Sequence, residues 1–376
     1  MRTKNHNRSK ARIIRALHTR LLAWFDTNKR DLPWRRTRDP YATLVSEIML
    51  QQTRVTTVIP YFERWMKVFP TVESLANARL DNVLKLWAGL GYYSRARNLQ
   101  KAAQSIVSRH GSKVPSDVTA LQTLPGVGRY TAGAVASIAF NRVAPILDGN
   151  VIRVLSRLFL IEKDTTRSDV RDTLWQLAET IIPHGRPGDF NESLMELGAL
   201  VCLPGSPLCE VCPLTQVCEA KRCGKSAELP VLRKRKPVRD VIQYALILQR
   251  GHQVLVRQRR DGELMAGLWG FPRFKSVRLM RQRFPHLAIT RIGQIVHSVM
   301  NERITVCAMA ASANGESPLS GHGDTEWVTI RKLRRLALPS ADRQLADLAS
   351  KPAVRYGQDH HQQHGATMSA GSRPSA

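Results

Sequence analysis

The sequence predicts two domains of different class: an all-α domain over residues 11–225, then an α+β domain over residues 240–350. Three observations carry this. From Ala11 to about Lys225, apolar residues recur at helical spacing, as in Leu44, Ile48 and Val55, or Val151, Leu155 and Leu158. Residues 226–239 then change texture to a basic, proline-containing stretch, ELPVLRKRKPVR from Glu228 to Arg239, which reads as an extended linker. Past Asp240 the period becomes that of strands. Tyr244–Gln249 and Gln253–Arg257 flank Arg250-Gly251-His252, a hairpin signal. Ile304–Met309 and Glu326–Ile330 read as further strands, with a helix over Val277–Phe284.

The ends are expected to lie outside both cores. Residues 1–10 form a basic tail, and residues 351–376, with His360, His361 and His364, read as a disordered tail. The first 25 residues hold seven Lys/Arg and no acid, a pattern shared with organelle leaders. Ile14, Leu17, Leu21 and Phe25 already keep helical spacing, however, so the folded domain is expected to start near Ala11 and the protein to be cytoplasmic and nucleoid-associated.

Composition narrows the function. A chain of 376 residues with 43% hydrophobic content can build sizeable cores, which excludes a fibrous or wholly disordered protein. No apolar run reaches the roughly 20 residues of a spanning helix. Lys+Arg number 57 against 30 Asp+Glu, a net charge of +27. So basic a surface is expected to meet a polyanion, with nucleic acid the first choice.

Four of the six cysteines fall in Cys202-x6-Cys209-x2-Cys212-x5-Cys218. Thiolates so grouped converge on one soft centre rather than forming a disulfide framework, and zinc and an iron–sulfur cluster are the two options. Cys223 and Cys307 are left over as ordinary thiols. Upstream, Leu124-Pro-Gly-Val-Gly-Arg-Tyr-Thr-Ala132 leads into a helix of small residues. Gly126 and Gly128 permit a tight turn whose N–H groups face outward at a helix N-terminus, a site for a DNA phosphate. Asp148 then opens the next helical stretch; alone it would be read as an N-cap.

Hairpin, aspartate and cysteine loop, in this order, resemble the endonuclease III-like helix–hairpin–helix superfamily of DNA repair glycosylases. The resemblance implies a 4Fe–4S cluster on Cys202, Cys209, Cys212 and Cys218, and a catalytic role for Asp148. Lyase members end the hairpin in a lysine that forms a Schiff base; Tyr130 stands there and cannot form an imine, which implies hydrolysis without strand cleavage. Glu47 interrupts an apolar helix in Leu44-Val-Ser-Glu-Ile-Met-Leu-Gln-Gln-Thr53. With this segment and Gly89-Leu-Gly-Tyr-Tyr-Ser-Arg-Ala-Arg-Asn-Leu99, the resemblance narrows to the MutY family, which removes adenine mispaired with 8-oxoguanine. It is close over residues 11–225 and looser beyond.

That resemblance implies further roles. Glu47 matches the acid that protonates adenine, and Asp148 the carboxylate that stabilises an oxocarbenium-like sugar; Tyr130 and Asn150 match residues that position them. An apolar pocket would raise the pKa of Glu47, while helix N–H groups would keep Asp148 ionised. Gln51, Gln52, Thr53, Leu90 and Tyr92 match DNA contacts, with Gln52 and Tyr92 wedging into the duplex. Trp34, Arg35, Leu50 and Glu192 match the adenine pocket. Arg95 and Arg97 read as phosphate contacts or solvated side chains.

Gly267-Leu-Trp-Gly-Phe-Pro272 resembles the Nudix-like domain of the same family, so the fold implied is an all-α helix–hairpin–helix glycosylase domain followed by an α+β Nudix-like domain. The following Arg-Phe-Lys-Ser-Val-Arg-Leu-Met-Arg lacks the acids of a pyrophosphohydrolase. Val299, Met300 and Asn301 stand where the family's recognition loop has Phe-Ser-His, which leaves Ser298 and Asn301 as lesion contacts and implies weaker preference for 8-oxoguanine over guanine. The expected partner is double-stranded DNA with adenine opposite 8-oxoguanine or guanine, met by a monomer away from any membrane. Two alternatives stand beside this reading: a pyrimidine-mismatch glycosylase on the same scaffold, and a non-catalytic iron–sulfur redox sensor that binds DNA.

Overall fold

The computed structural model describes residues 10–233, 237–260, 262–299, 301–313 and 324–350, in two compact units that divide after residue 236. Both tails for the most part, with the three tail histidines, and Met300 fall outside the described residues.

The first unit is helical. Helix α1 spans 10–28 with a π-helical turn at Leu17–Leu21. There follow α2 (Pro40–Leu50), α3 (Val55–Val68), α4 (Val72–Ala76), α5 (Leu80–Trp87), α6 (Ser94–His110), α7 (Val118–Gln122), α8 (Arg129–Phe140), α9 (Gly149–Leu158), α10 (Ser168–Ile181), α11 (Pro187–Leu200) and α12 (Glu219–Arg222). Helix α2 shows why a glutamate there stands out. Asp39 caps it by accepting from the Ala42 N–H at 2.7 Å, and Pro40 occupies its first turn, where no N–H is needed. Every residue from Tyr41 to Met49 is buried, so the helix is apolar all round apart from Glu47 and a few hydroxyls. Helices α1, α9, α10 and α11 share one core through Leu17, Leu155, Leu174 and Leu197.

The second unit is a seven-stranded mixed sheet with helices on both faces: β1 (Arg239–Arg250), β2 (Gln253–Gln258), β3 (Trp269–Gly270), β4 (Arg273–Phe274), β5 (Thr290–Val299), β6 (Glu302–Ser312) and β7 (Thr325–Thr329), with α13 (Val277–Arg283), α14 (Ile330–Leu333) and α15 (Ser340–Ala349). The path is β3-β2-β1-β6-β5, with β4 on β1 and β7 on β2. β1 pairs parallel with β6, Tyr244 opposite Cys307, and antiparallel with β2 across the hairpin. Alternate β1 residues serve opposite faces: Ala245 and Ile247 pack with Leu345 and Ala346 of α15, Leu246 and Leu248 with Met280 of α13 and Phe284 just past its end. With both faces covered, the strand reads as a continuous apolar run.

Two of the longer elements, β5 and α15, were not foreseen, nor were the short β4 and α14. β5 is an edge strand with exposed Gln294, Val296 and Ser298, so its apolar signal is half erased. Its end carries part of the stretch matched to the recognition loop. His297, Ser298 and Val299 are in β5, opposite Ile304, Arg303 and Glu302 of β6, and Asn301 lies in the turn between them.

Candidate active site

One cavity of about 490 Å³ in the helical unit gathers Glu47, Tyr130, Asp148 and Asn150 from α2, α8 and the start of α9. Glu47 is 5% exposed, and the Tyr130 hydroxyl donates to its Oε2 at 2.8 Å. Burial raises the Glu47 pKa to about 7, against the lowering pull of that hydrogen bond; Glu192 and Asp148 add to the rise. Tyr130 is itself held well above the ordinary phenol value by burial and neighbouring carboxylates, so it stays a neutral donor.

Asp148 is the N-cap of α9 as well as a wall of the cavity. Its Oδ1 accepts from the Val151 N–H at 2.7 Å and its Oδ2 from Asn150 Nδ2 at 2.9 Å. Burial raises its pKa, and the donors from Val151 and Asn150 oppose the rise without cancelling it. The two carboxyls therefore sit in unlike settings. Glu47 has one phenol, whereas Asp148 has amide donors and a helix N-terminus that favour its charged form.

The amide of Asn150 is oriented from behind. Its Oδ1 accepts from Arg153 Nη2 at 2.8 Å, which turns its NH2 toward Asp148. Arg153 also donates to the carbonyls of Gly198 and Cys202, both at 2.7 Å, and so anchors this orientation to α11 and the cysteine loop. Gly198 allows the approach: a Cβ there would lie 2.6 Å from Asn150 Cβ. Gly198→Ala is expected to displace Asn150 and lower single-turnover base release by about 10²-fold, the size of effect a 1 Å misplacement brings. A wild-type rate in that variant would show that the amide's position is unimportant.

Trp34, Arg35, Leu50 and Glu192 line the same cavity. Arg35 Nε donates to Glu192 Oε1 at 2.6 Å, so Glu192 is an ion-pair partner here. Its pKa is raised by burial even so. Sequence reasoning missed Arg30, Met195 and Glu196, among other residues of this wall. Glu196 accepts from Arg30 and Arg35, which hold its carboxyl down at about 2. Met195 Sδ lies 3.2 Å from the Tyr130 hydroxyl. The available signal was two glutamates four residues apart in the otherwise apolar Phe190–Leu200 segment.

Gln51, Gln52 and Thr53 reach the rim of the cavity, whereas Leu90, Tyr92, Gly126 and Gly128 are not among its lining residues. Gln52 and Tyr92 are exposed and both have positive φ, 57° and 47°. Leu90 is buried at 6% exposure. Gly126 takes φ +79° in the turn between α7 and α8, and Gly128 caps α8 in extended conformation. Arg95 corrects the sequence reading: it is neither at the surface nor free, but buried with its guanidinium bonded inside the protein. Ser298 and Asn301 are exposed at the β5–β6 hairpin of the second unit.

Cys202, Cys209, Cys212 and Cys218 line a second cavity beside α9, formed by the two 3-10 turns Cys209–Val211 and Thr215–Val217. Arg157, 2% exposed, donates to Cys202 Sγ at 3.2 Å and to the carbonyls of Leu203 and Leu229, both at 2.9 Å. A buried guanidinium beside four thiols fits an anionic thiolate-ligated group. Among the described residues no three His, Cys, Asp or Glu are placed to hold a metal ion. Cys223 is exposed and Cys307 buried.

This combination of helical scaffold, hairpin and paired buried carboxyls defines a base-excision glycosylase, and residues 45–180 match the HhH-GPD superfamily base excision DNA repair protein. Residues 243–348 match the NUDIX domain. The adenine DNA glycosylase of Rattus norvegicus is 36% identical, over 87% of this chain and 77% of its own length. That of Homo sapiens is 36% identical, over 87% and 73%. A solved thermostable thymine-DNA glycosylase superposes with a TM-score of 0.52 at 31% identity, covering 58% of this chain and 98% of that one. The chain belongs to the adenine DNA glycosylase family.

Proposed function

We propose that this DNA N-glycosylase hydrolyses the N-glycosidic bond of adenine mispaired with 8-oxoguanine or guanine in duplex DNA, and leaves the strand intact. The observation that carries this is the shared cavity of Glu47 and Asp148, with Tyr130 bonded to the first and Asn150 to the second. Adenine leaves poorly as an anion. A carboxyl with a pKa of about 7 still carries a proton to give it near neutral pH, and Glu47 is that group. Asp148, held by amide donors, balances the positive charge that develops on the sugar. Tyr130 supplies a hydrogen bond and no amine, so no imine forms.

The adenine must leave the stack to reach the cavity, and exposed Gln52 and Tyr92 are placed to enter the duplex behind it. The α7–α8 hairpin grips a backbone phosphate, and Ser298 and Asn301 meet the opposing base with less selectivity than a Phe-Ser-His loop. The structural likeness to a thymine-DNA glycosylase covers 58% of this chain, and the adenine reading rests on the proton held at Glu47.

The test is a duplex with adenine opposite 8-oxoguanine, and a second opposite guanine, each developed with and without alkali. Strand breaks only after alkali, at similar single-turnover rates on both duplexes, are expected. Breaks without alkali, or no excision of adenine, would overturn the proposal.

Cys202, Cys209, Cys212 and Cys218 would hold a 4Fe–4S cluster, which supplies a rigid staple for the loop and can exchange one electron. Iron and acid-labile sulfide in the purified protein are expected at about four of each per chain. A single zinc in their place would reject the assignment.

A further inference from the structure

Arg95 opens α6 and is 8% exposed. Its Nη1 donates to the carbonyls of Ile48 at 3.0 Å, Met49 at 2.8 Å and Gln51. Its Nη2 donates to Thr53 Oγ1 at 3.0 Å and to the carbonyls of Leu90 and Gly91, both at 3.2 Å. Every one of these acceptors is neutral. Burial lowers the pKa to about 10, which leaves the group charged at neutral pH. Carbonyls at the C-terminal end of α2 suit such a cation.

These acceptors fall in two segments far apart in sequence, one just after Glu47 and one just before Tyr92. In each, one accepting carbonyl belongs to the peptide that precedes an exposed residue of positive φ: Gln51 before Gln52, and Gly91 before Tyr92. A left-handed backbone is costly for such side chains and persists only where its surroundings hold it. The guanidinium also lies 5.6 Å from the Tyr92 ring and 5.2 Å from that of Trp87, whose Nε1 donates to the same Gly91 carbonyl at 3.0 Å.

We propose that Arg95 is a positioning residue for base extrusion: one guanidinium sets the spacing and aim of Gln52 and Tyr92 and ties both to the helix that carries Glu47. This rests on the function proposed above, in which those two side chains enter the duplex. The planar fork is essential. A lysine keeps the charge but carries its three donors on a single nitrogen, so it cannot set one nitrogen against each segment as Nη1 and Nη2 do.

The test uses the full-length protein and Arg95→Lys, with Arg95→Met as the charge-free comparison. In the free protein, hydrogen exchange across residues 48–54 and 88–93 is expected to rise together, by about tenfold, in both variants. On a duplex with adenine opposite 8-oxoguanine and 2-aminopurine as its 5′ neighbour, Arg95→Lys is expected to lose the fluorescence rise that reports unstacking. Its single-turnover rate is expected to fall about ten- to hundredfold, while the pH at which the residual rate declines stays where Glu47 sets it. Added to a Gln52→Ala/Tyr92→Ala protein, Arg95→Lys is expected to cost less than about threefold more, because the parts it aims are gone. A merely structural arginine would multiply its full penalty onto that protein; this result, or wild-type exchange in both segments, would overturn the proposal. Wild-type protein that leaves adenine in place overturns the reading of the site instead, and the exchange result then decides the clamp by itself.

Discussion

Glu47→Gln is expected to abolish adenine release while duplex binding stays at the wild-type level. A positioned general acid contributes about 10²–10⁴-fold, and the loss is expected at the upper end because adenine has no good anionic leaving form. Glutamine keeps the shape and the acceptor for the Tyr130 hydroxyl but has no proton to give. The wild-type rate is expected to fall as pH rises through about 7, where Glu47 loses its proton, and to fall again in acid as Asp148, whose pKa is raised by burial, becomes protonated. Stability gives a second readout. The folded pKa of Glu47 lies above its ordinary 4.5, so the folded protein binds this proton more tightly than the unfolded chain. That contribution is full below about pH 4.5 and is lost as pH rises through about 7. Glu47→Gln is therefore expected to be more stable than wild type at about pH 8, by up to about 3 kcal/mol, with a gap that shrinks towards about pH 5. A stability difference independent of pH would show that Glu47 is not the buried, proton-holding group described.

Asp342→Asn is expected to unfold the second unit at markedly lower temperature. Asp342 is fully buried, and it accepts from Arg259 Nη2 and Arg273 Nη2, both at 2.9 Å, and from the Phe271 N–H at 3.0 Å. It joins α15 to Arg259, just past β2, and to Arg273 of β4. Asparagine has one acceptor oxygen in place of two, and its NH2 would face a guanidinium. Two cations would then share a site without their buried counter-charge, with only the weaker pull of Glu263 left on Arg259, a change that costs about 3–5 kcal/mol. Among the described residues, Arg273 Nε and Nη1 are buried with no hydrogen-bond partner, so no spare acceptor lies there to take up the loss. By calorimetry the transition of this unit is expected to move down by roughly 10–20 °C. Hydrogen exchange should rise across β1 and β6 and stay unchanged across α2 and α8. An unshifted transition would mean that the network is replaceable by water.

The two carboxyls of the cavity illustrate what a chain carries in plain view. Glu47 is conspicuous because α2 is apolar on every side, and Asp148 because it precedes a clear helical period after a Gly-rich turn. Such signals are local: burial on all faces, capping chemistry and turn chemistry each need only a few neighbouring residues. Period and composition separated the helical unit from the sheet unit for the same reason, and covered strands such as β1 announced themselves as apolar runs. Edge strand β5 did not, since half of its side chains meet water.

Arg95 is the counter-example. On the sequence, an arginine among Tyr92, Ser94 and Arg97 is a surface cation in a basic protein. Its buried place depends on carbonyls more than 40 positions earlier in the chain, and backbone carbonyls have no sequence signature. The same holds for Glu196, whose partners Arg30 and Arg35 come from the opposite end of the helical unit. Local residue patterns were enough for the two fold classes, for the order of hairpin, aspartate and cysteine loop, and for singling out Glu47 and Asp148. Which charges are buried, which way Asn150 turns, and which carbonyls Arg95 gathers came only with the fold, because pKa and orientation follow from through-space neighbours that the linear order does not reveal.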